Sequence, residues 1–586
     1  MSLLTKASLV MTPNAVKESK VYSIIPSNGN GDLTFTRSTL ASSTLNNDAG
    51  LIEIVPYNLL NYSEQFGNAS WSNTELNVSG TPPYLNQGTS PNGSVTATKI
   101  IPNTVGGVHR FVYGPTITTS AGSSYTISIF MKKNDFNYCF FRENINGTTD
   151  NSFFNLQTVT LGTIGAGRTA TIQDFGNGWI RCSVTATTTT TSINVIGIGV
   201  TDTNGNTTVI GDNIKFNYLW GAQLVQGSVP KDYFFTTDRL NVPRLNYDTV
   251  GGCPALLLEP QRTNLLLNSV WSGSSTSPTS WSLNGTGVST RIASIKNPNV
   301  GAYNFVSTAI ARIFFFQTQT FTINTTSCLS VYVESASVPV QVQFILAIIN
   351  AVGTPTYFKN NVAITATTNI EAGNTYSIVY AASATTTISE VRVGLHNTGI
   401  VGNVTLSMPQ LQTGLSSIAA YSTSFIPTTT GAVTRNADQF SRSNIYTNGL
   451  ITSSGGAWYL EINNNLSLTR DNSGTGLYIG DSATTPNNSF GVINTGTGRL
   501  VINKKIAGTL TSLYTTTTNT IKVVFNWNGS TMDVFVNGTK QVTATTFTST
   551  ALEFLSAYLC YVPKYIKGIY LFPAPLTDTE CTNLTA

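Results

Sequence analysis

The sequence predicts an all-β protein built from sandwich modules. Three observations carry that prediction: apolar residues alternate with period two in run after run, turn-forming residues recur at short spacing, and one pair of head and tail motifs occurs twice. In SYTISIFMKK, Tyr125, Ile127, Ile129 and Met131 fall on one face. IGIGV sets Ile196, Ile198 and Val200 on one side, and SEVRVGL does the same with Val391, Val393 and Leu395. Successive strand side chains point to opposite faces, so β-branched and aromatic residues at every second position mark half-buried strands. Turn punctuation at intervals of roughly 8–12 residues is the spacing of a β-sandwich.

The duplication sets the domain plan. Glu53 and Asn58 are matched by Glu259 and Asn264 at equal displacement, and each asparagine opens a similar hexapeptide, NLLNYS and NLLLNS. Trp71 follows the first, and Trp271 and Trp281 follow the second. The tails also match: Gln223, Leu224, Gly227 and Tyr233 correspond to Gln410, Leu411, Gly414 and Tyr421. Two copies of one fold are therefore expected at 57–240 and 263–438, with 1–56 ahead of them and 241–262 as a linker strand. Within the linker, ALLLEP reads as a short strand apolar on both faces and stopped at Pro260, which lacks a ladder donor. NLLLNS is expected to start the next module by pairing with its last strand. The competing reading of these leucines is a ligand groove.

Residues 439–586 differ. TIKVVFNWNGSTMDVFVNGTKQV reads as a meander with hairpin turns at Asn528-Gly529 and Asn537-Gly538, where Asn and Gly tolerate positive φ. Thr577 with Glu580 three residues on reads as a capping box that opens a short terminal helix.

Composition narrows the function classes. Of 586 residues, 40% are hydrophobic and 10% aromatic, which supports packed cores and argues against disorder. Only 10% are charged, against about 25% in an ordinary globular chain. A surface of hydroxyls and amides resists changes in salt and pH, as an extracellular or virion protein requires. The net charge of +4 comes with no Lys/Arg run, which leaves nucleic-acid binding without support. No apolar run reaches the roughly 18 residues of a membrane helix, so no membrane partner is expected. The start, MSLLTKASLVMTPNAV, lacks the apolar region of a secretory signal; an exterior-looking protein without one fits a phage product released by lysis. Cys139, Cys182, Cys253, Cys328, Cys560 and Cys581 form no metal-site spacing and read mostly as free, buried small hydrophobes.

RSTLASSTLNNDAGLIE (37–53), LNVPRLNYDTVGGCPALLLEPQRTNLL (240–266) and TSFIPTTTGAVTRNAD (423–438) resemble a family of bacteriophage structural proteins, the fibre, spike and head-fibre components common in phages of Bacteroides-type hosts, including crAss-like phages. The resemblance implies tandem jelly-roll modules similar to carbohydrate-binding modules, of which DFGNGWIRCSVT (174–185) looks like an internal strand motif. The C-terminal part resembles a concanavalin/laminin-G-like sandwich, in the hairpin MDVFVNG and the closing IKGIYLFPAPLTDTE. In simpler members GLIE runs almost directly into VPRLNYD, so the first module looks inserted between Val55 and Val242.

Because concanavalin-like sandwiches include glucanases, catalysis needs a test. Those enzymes carry acids at alternate positions of one strand, and retaining hydrolysis needs two carboxylates. The nearest stretch, WYLEINNNL, offers Glu461 with Asn463 and Asn465, one acid where two are required. His109 and His396 are the only histidines and read as surface or strand residues; no G-x-S-x-G elbow or phosphate loop accompanies them. A structural calcium occurs in similar jelly rolls, but no D-x-D-x-D loop supports one, so no cofactor is expected. Sugar binding needs flat aromatic faces flanked by amides and hydroxyls. Trp527, Trp179 and Tyr570 are the candidate glycan-binding residues.

The expected protein is a non-enzymatic virion fibre or head fibre that decorates the particle and contacts host-surface or mucosal glycans. Residues 1–56 would attach it to other virion proteins and order on docking, and the resemblance implies a homotrimer. A depolymerising tail spike and a bacterial surface adhesin are the alternatives.

Overall fold

A computed structural model of the protein describes all residues except 1–2, 40–43, 48, 79–83, 248–251, 309–310, 319–320, 324–325, 338, 352, 381–385, 389, 398–399, 416–420, 453–454, 464–475, 495–499, 517, 519, 548–551 and 559–563. The fold is all-β: two tandem jelly-roll sandwiches and a further two-sheet sandwich toward the C-terminal end. The chain divides into two compact units, Pro56–Arg239 on the one hand and Met1–Val55 with Leu240–Ala586 on the other.

Pro56–Arg239 holds two antiparallel sheets of six strands each. One is centred on Tyr138–Glu143 and Ile196–Thr201, the other on Ser124–Lys132 between Trp179–Thr187 and Asn217–Gln226. Ile127, Ile129, Phe141, Ile198 and Val200 meet in the core between them. The expected half-buried strand Ser124–Lys132 is buried on both faces. Its outer face is covered too: Phe130 packs with Trp220 and Tyr233, whose rings lie 4.4 Å apart.

The second jelly roll, in the other unit, pairs a large sheet centred on Gly402–Leu415 and Thr326–Ala336 with a four-stranded sheet containing Ile313–Gln317 and Glu390–Leu395. Trp271, Tyr303, Phe305, Phe315, Leu329 and Val331 fill the space between.

The repeated motifs act alike in each module. Asn58 Oδ1 accepts from the backbone N–H of Leu60 and Leu224, and its Nδ2 donates to the carbonyls of Ala222 and Phe234. Asn264 Oδ1 accepts from Leu266 and Leu411, and its Nδ2 donates to the Ile426 carbonyl. Ser63 Oγ accepts from the Thr236 N–H at 2.9 Å, as Ser269 Oγ does from Thr428. Each asparagine is fully buried and ties the module's first residues to its last strand. The duplicated asparagine thus satisfies buried backbone groups where the start of each module meets its last strand.

The C-terminal sandwich draws on three parts of the sequence. Ala255–Leu258 pairs with Lys564–Phe572, which pairs on with Gly456–Asn463 and, at its other end, with Leu9–Met11. Val16–Lys17, Lys20–Val21 and Leu33–Thr36 extend the opposite sheet, where Leu33–Thr36 pairs with Gln439–Arg442. Leu9, Met11, Leu33 and Phe35 are fully buried in the same core as Trp458, Phe525 and Leu571. This corrects the expectation of an N-terminal segment that orders on docking. The short runs Leu-Val-Met and Leu-Thr-Phe-Thr supply apolar residues with strand period, and the sandwich buries them. Arg262–Asn264 meets Gly402–Leu415 at one register pair, Asn264 with Gln412, so only the first residue of NLLLNS enters the ladder.

The two hairpin pairs differ. Asn537 and Gly538 both have positive φ, whereas at Asn528-Gly529 only Gly529 does and the Asn528 side chain accepts from the Thr531 N–H. The terminal helix Asp578–Thr585 begins at the expected capping box: Thr577 Oγ1 accepts from the Glu580 N–H, and Glu580 Oε2 from the Thr577 N–H.

Candidate functional site

Two features of the larger unit stand out, a buried charge cluster and a cavity that opens beside it. The cluster gathers Arg37, Arg244, Glu259, Arg435 and Asp438, all at most 3% exposed. Asp438 Oδ1 accepts from Arg37 Nη1 at 2.9 Å, and Oδ2 pairs with Arg244 and accepts from the Glu259 N–H at 2.9 Å. Glu259 Oε2 pairs with Arg244 at 2.7 Å and Arg435 at 3.0 Å. Ser424 donates to Glu259 through both its N–H and its hydroxyl. Burial alone would raise the Glu259 carboxyl; Arg435 and Arg244, with the Ser424 hydrogen bonds, outweigh it and hold the group at about 2. Burial pulls the Arg435 guanidinium down to about 10 even with Glu259 beside it. Its Nε and Nη2 are buried without hydrogen-bond partners.

The cavity, about 280 Å³, lies against the outer face of the second jelly roll's large sheet. In CLSVYVE the core takes Leu329, Val331 and Val333, so period two turns Ser330 and Tyr332 outward into the cavity. Met408 and Gln410 come from the neighbouring strand, and Thr375 from the next. The hairpin formed by Thr44–Asn46 and Ile52–Ile54 contributes Asn46 and Ile52. Lys296 sits in the turn after Val288–Ala293; its carbonyl accepts from the Ile52 N–H at 2.8 Å and its ammonium donates to the Gly50 carbonyl. Asn246, Leu257, Glu259 and Tyr565 close the remaining side.

The lining divides by chemistry. Ile52, Tyr332, Met408 and Phe425 form one apolar patch. Several polar groups already have partners: Asn361 exchanges two hydrogen bonds with the Ser422 backbone, and Gln410 is held by Thr423 and Ile426. The Asn46 side-chain carboxamide, the Asn246 amino group, the Tyr332 hydroxyl and the Thr375 hydroxyl make no hydrogen bond with other described residues, while the Asn46 backbone N–H donates to Asn246 Oδ1. The site thus offers donors and acceptors beside an apolar wall, with one lysine.

The residues singled out from sequence lie elsewhere. Trp527 is 1% exposed, packed on Phe490 at 5.0 Å, because the alternation that buries Val523 and Phe525 carries it inward as well. Trp179 is 2% exposed; it joins the Phe130 and Trp220 cluster and donates its indole N–H to the Thr89 carbonyl. Neither has a face free for a sugar. Tyr570 is partly exposed but stacks on Tyr459 at 4.8 Å. Glu461 accepts from the Tyr459 hydroxyl and pairs in register with Lys522; Asn463 follows it, and Asn465 lies outside the described residues.

Both histidines are buried rather than on the surface. The His109 ring nitrogens meet the carbonyls of Glu75 and Val209, and burial pushes His396 down to about 4. Of the cysteines, Cys253 is exposed, Cys139, Cys182, Cys328 and Cys581 are buried, and Cys560 is outside the described residues. Among the described residues no cluster of three His, Cys, Asp or Glu side chains is placed to hold a metal.

The ALLL strand is a seam with a share in the cavity. Leu256 and Leu258 enter the sandwich core, while Leu257 points the other way and lines the cavity next to Glu259.

No family model matches the chain, and no curated protein does. Among solved structures, the tandem N-terminal modules CBM22-1 and CBM22-2 of Paenibacillus barcinonensis Xyn10C show 10% identity, covering 64% of this chain and all of theirs, with a TM-score of 0.17. The 11S allergen of Cocos nucifera shows 10% identity over 70% of this chain and 92% of its own, with a TM-score of 0.10. Likenesses this distant bear on neither the ligand nor the activity.

Proposed function

We propose that this chain is a non-enzymatic structural protein of a bacteriophage particle, a head or tail fibre that binds glycans through the cavity on its second jelly roll. The observation that carries the glycan part is the lining: unpartnered amide and hydroxyl groups facing an apolar patch of Ile52, Tyr332, Met408 and Phe425. A sugar ring presents hydroxyls around its rim and C–H groups on its faces, and such a site answers both. Sites of this kind combine an apolar lining with a few placed polar groups, at volumes of roughly 300–1,000 Å³; at about 280 Å³ this cavity falls just below that range and suits a monosaccharide unit. The reading as non-catalytic is supported by the state of its carboxylate. Glu259 is held ionised by two arginines and two hydrogen bonds, so it is not a proton donor at neutral pH. The virion part rests on the resemblance of the linker motifs, and trimeric assembly follows from it, since repeated weak sites gain avidity together.

Binding of the full-length protein to a glycan array tests the first part. Retention of defined sugars, lost in Tyr332→Ala with the fold intact, is the expected result; an empty array refutes it. Immunogold labelling of purified particles tests the second, and unlabelled particles refute the virion reading.

A further inference from the structure

We infer that the cavity selects a sugar bearing a carboxylate, a uronate or a nonulosonate, and that Lys296 is the residue that reads the charge. This rests on the cavity being a glycan site. In the buried cluster and around Lys296, the described residues put four cations, Arg37, Arg244, Arg435 and Lys296, against three carboxylates, Glu259, Asp438 and Glu334. Two of those carboxylates are fully engaged by the arginines. The third, Glu334, accepts from the Ser294 and Ser407 hydroxyls and from the backbone N–H of Ile295 and Lys296, and it acts on the Lys296 ammonium through space without a direct salt bridge between described atoms.

Among the described residues the Lys296 ammonium has one hydrogen-bond partner, the Gly50 carbonyl, and so keeps donors for a ligand. Positive charge in a partly dry cavity is costly until an anion reaches it, and Glu259, the carboxylate that lines the cavity, is neutralised by its arginines. A neutral sugar would leave this imbalance in place, whereas a carboxylated one removes it. The ring hydroxyls would then meet Asn46, Asn246, Tyr332 and Thr375, and its C–H face the patch of Met408 and Phe425.

The test is calorimetric titration of the full-length protein with methyl galacturonide, methyl glucuronide and N-acetylneuraminic acid, each against its neutral counterpart with the carboxylate reduced to an alcohol. A charge-assisted hydrogen bond predicts about a tenfold or greater preference for the acid. Lys296→Gln should abolish that preference and Lys296→Arg should retain much of it, while Tyr332→Phe should weaken acid and neutral sugars alike. Circular dichroism of each variant confirms that it is folded. The uronide and nonulosonate arms tell the two acid sources apart. Equal binding of acid and neutral sugars, or an acid preference that survives in Lys296→Gln, overturns the inference and leaves the glycan reading standing. Binding of no sugar by the wild-type protein overturns both.

Discussion

Replacing Asp438 by Asn tests whether the buried charge cluster holds the larger unit together. Asp438 accepts from Arg37 at 2.9 Å, from Arg244 and from the Glu259 N–H. Arg37 lies ahead of the first module in sequence, Arg244 and Glu259 lie in the linker, and Asp438 closes the second module, so one carboxylate joins three distant segments. Asparagine keeps the shape and one acceptor oxygen but removes the charge. Three buried arginines would then face Glu259 alone. Breaking a buried pair by removing one partner costs about 3–5 kcal/mol, because the other charge stays in a dry site. At about 1.4 kcal/mol per factor of ten, that lowers the folded-to-unfolded ratio by roughly two to three and a half orders of magnitude. Urea unfolding followed by tryptophan fluorescence reads it, since Trp271, Trp281, Trp458 and Trp527 lie in this unit, and Trp71, Trp179 and Trp220 in the other. The transition of the larger unit should move to lower urea at unchanged slope, and that of Pro56–Arg239 should stay. Adding Arg37→Met to Asp438→Asn should cost less than the two effects summed, since one arginine is no longer left unpaired. A shift below about 1 kcal/mol, against the expected loss for a buried pair, or one confined to Pro56–Arg239, would refute the reasoning.

Three further outcomes are expected. Burial holds His396 at about 4 against about 6.5 in the unfolded chain, so its effect on stability is nil above about pH 6.5 and grows as pH falls toward 4, reaching a loss of about 3 kcal/mol. His396→Gln should flatten the stability profile in that window; the loss from protonating Glu259 falls lower, between about 4.5 and 2, and should survive the substitution. Asn58→Ala and Asn264→Ala should each cost about 2–3 kcal/mol through stranded backbone groups, each in the transition of its own unit, and a loss in the wrong transition would contradict the matched roles of the two residues. With a maleimide under native conditions, Cys253 should react ahead of Cys139, Cys182, Cys328 and Cys581, as peptide mapping of the labelled protein would show; modification of a buried thiol at a similar rate would argue against the packing described.

The repeat and the strands were legible because each depends on local pattern. Period two places Ile127 and Ile129 in the core whatever else the chain does, and the asparagine heads recur because each module must satisfy the same buried backbone groups. The extent of burial was not legible. Ser124–Lys132 reads as a strand with one wet face, yet the return segment around Tyr233 lies over that face. Nothing within the strand encodes a cover that comes from about a hundred residues later, a distance typical of non-local β-pairing. The N-terminal segment conceals its place for the same reason. Leu9 and Met11 are too few to form a core alone, and their partner strand Lys564–Phe572 is at the other end of the chain.

The candidate site shows the limit most clearly. Tryptophans were sought because a flat aromatic face suits a sugar, but a large aromatic in a sandwich is first of all core material, and Trp527 and Trp179 were taken by that demand. The better signal was in the positions the core leaves over. Once Leu329, Val331 and Val333 are assigned inward, Ser330, Tyr332 and Glu334 must point outward, and a tyrosine between a serine and a glutamate on an outer face is surface with chemistry to offer. The charged residues carry a second signal. In a chain with 10% charged residues, Arg37, Arg244, Glu259, Arg435 and Asp438 all lie within the three linker-like stretches that bear the family resemblance. A charge that such a sequence retains must have a partner, and five in these stretches imply that the stretches meet. That meeting brings the hairpin around Asn46 and Ile52 toward the outer face of the second jelly roll and closes the cavity. The same cluster that joins the segments therefore builds the wall of the site, so Asp438→Asn should weaken sugar binding even at temperatures where the protein remains folded.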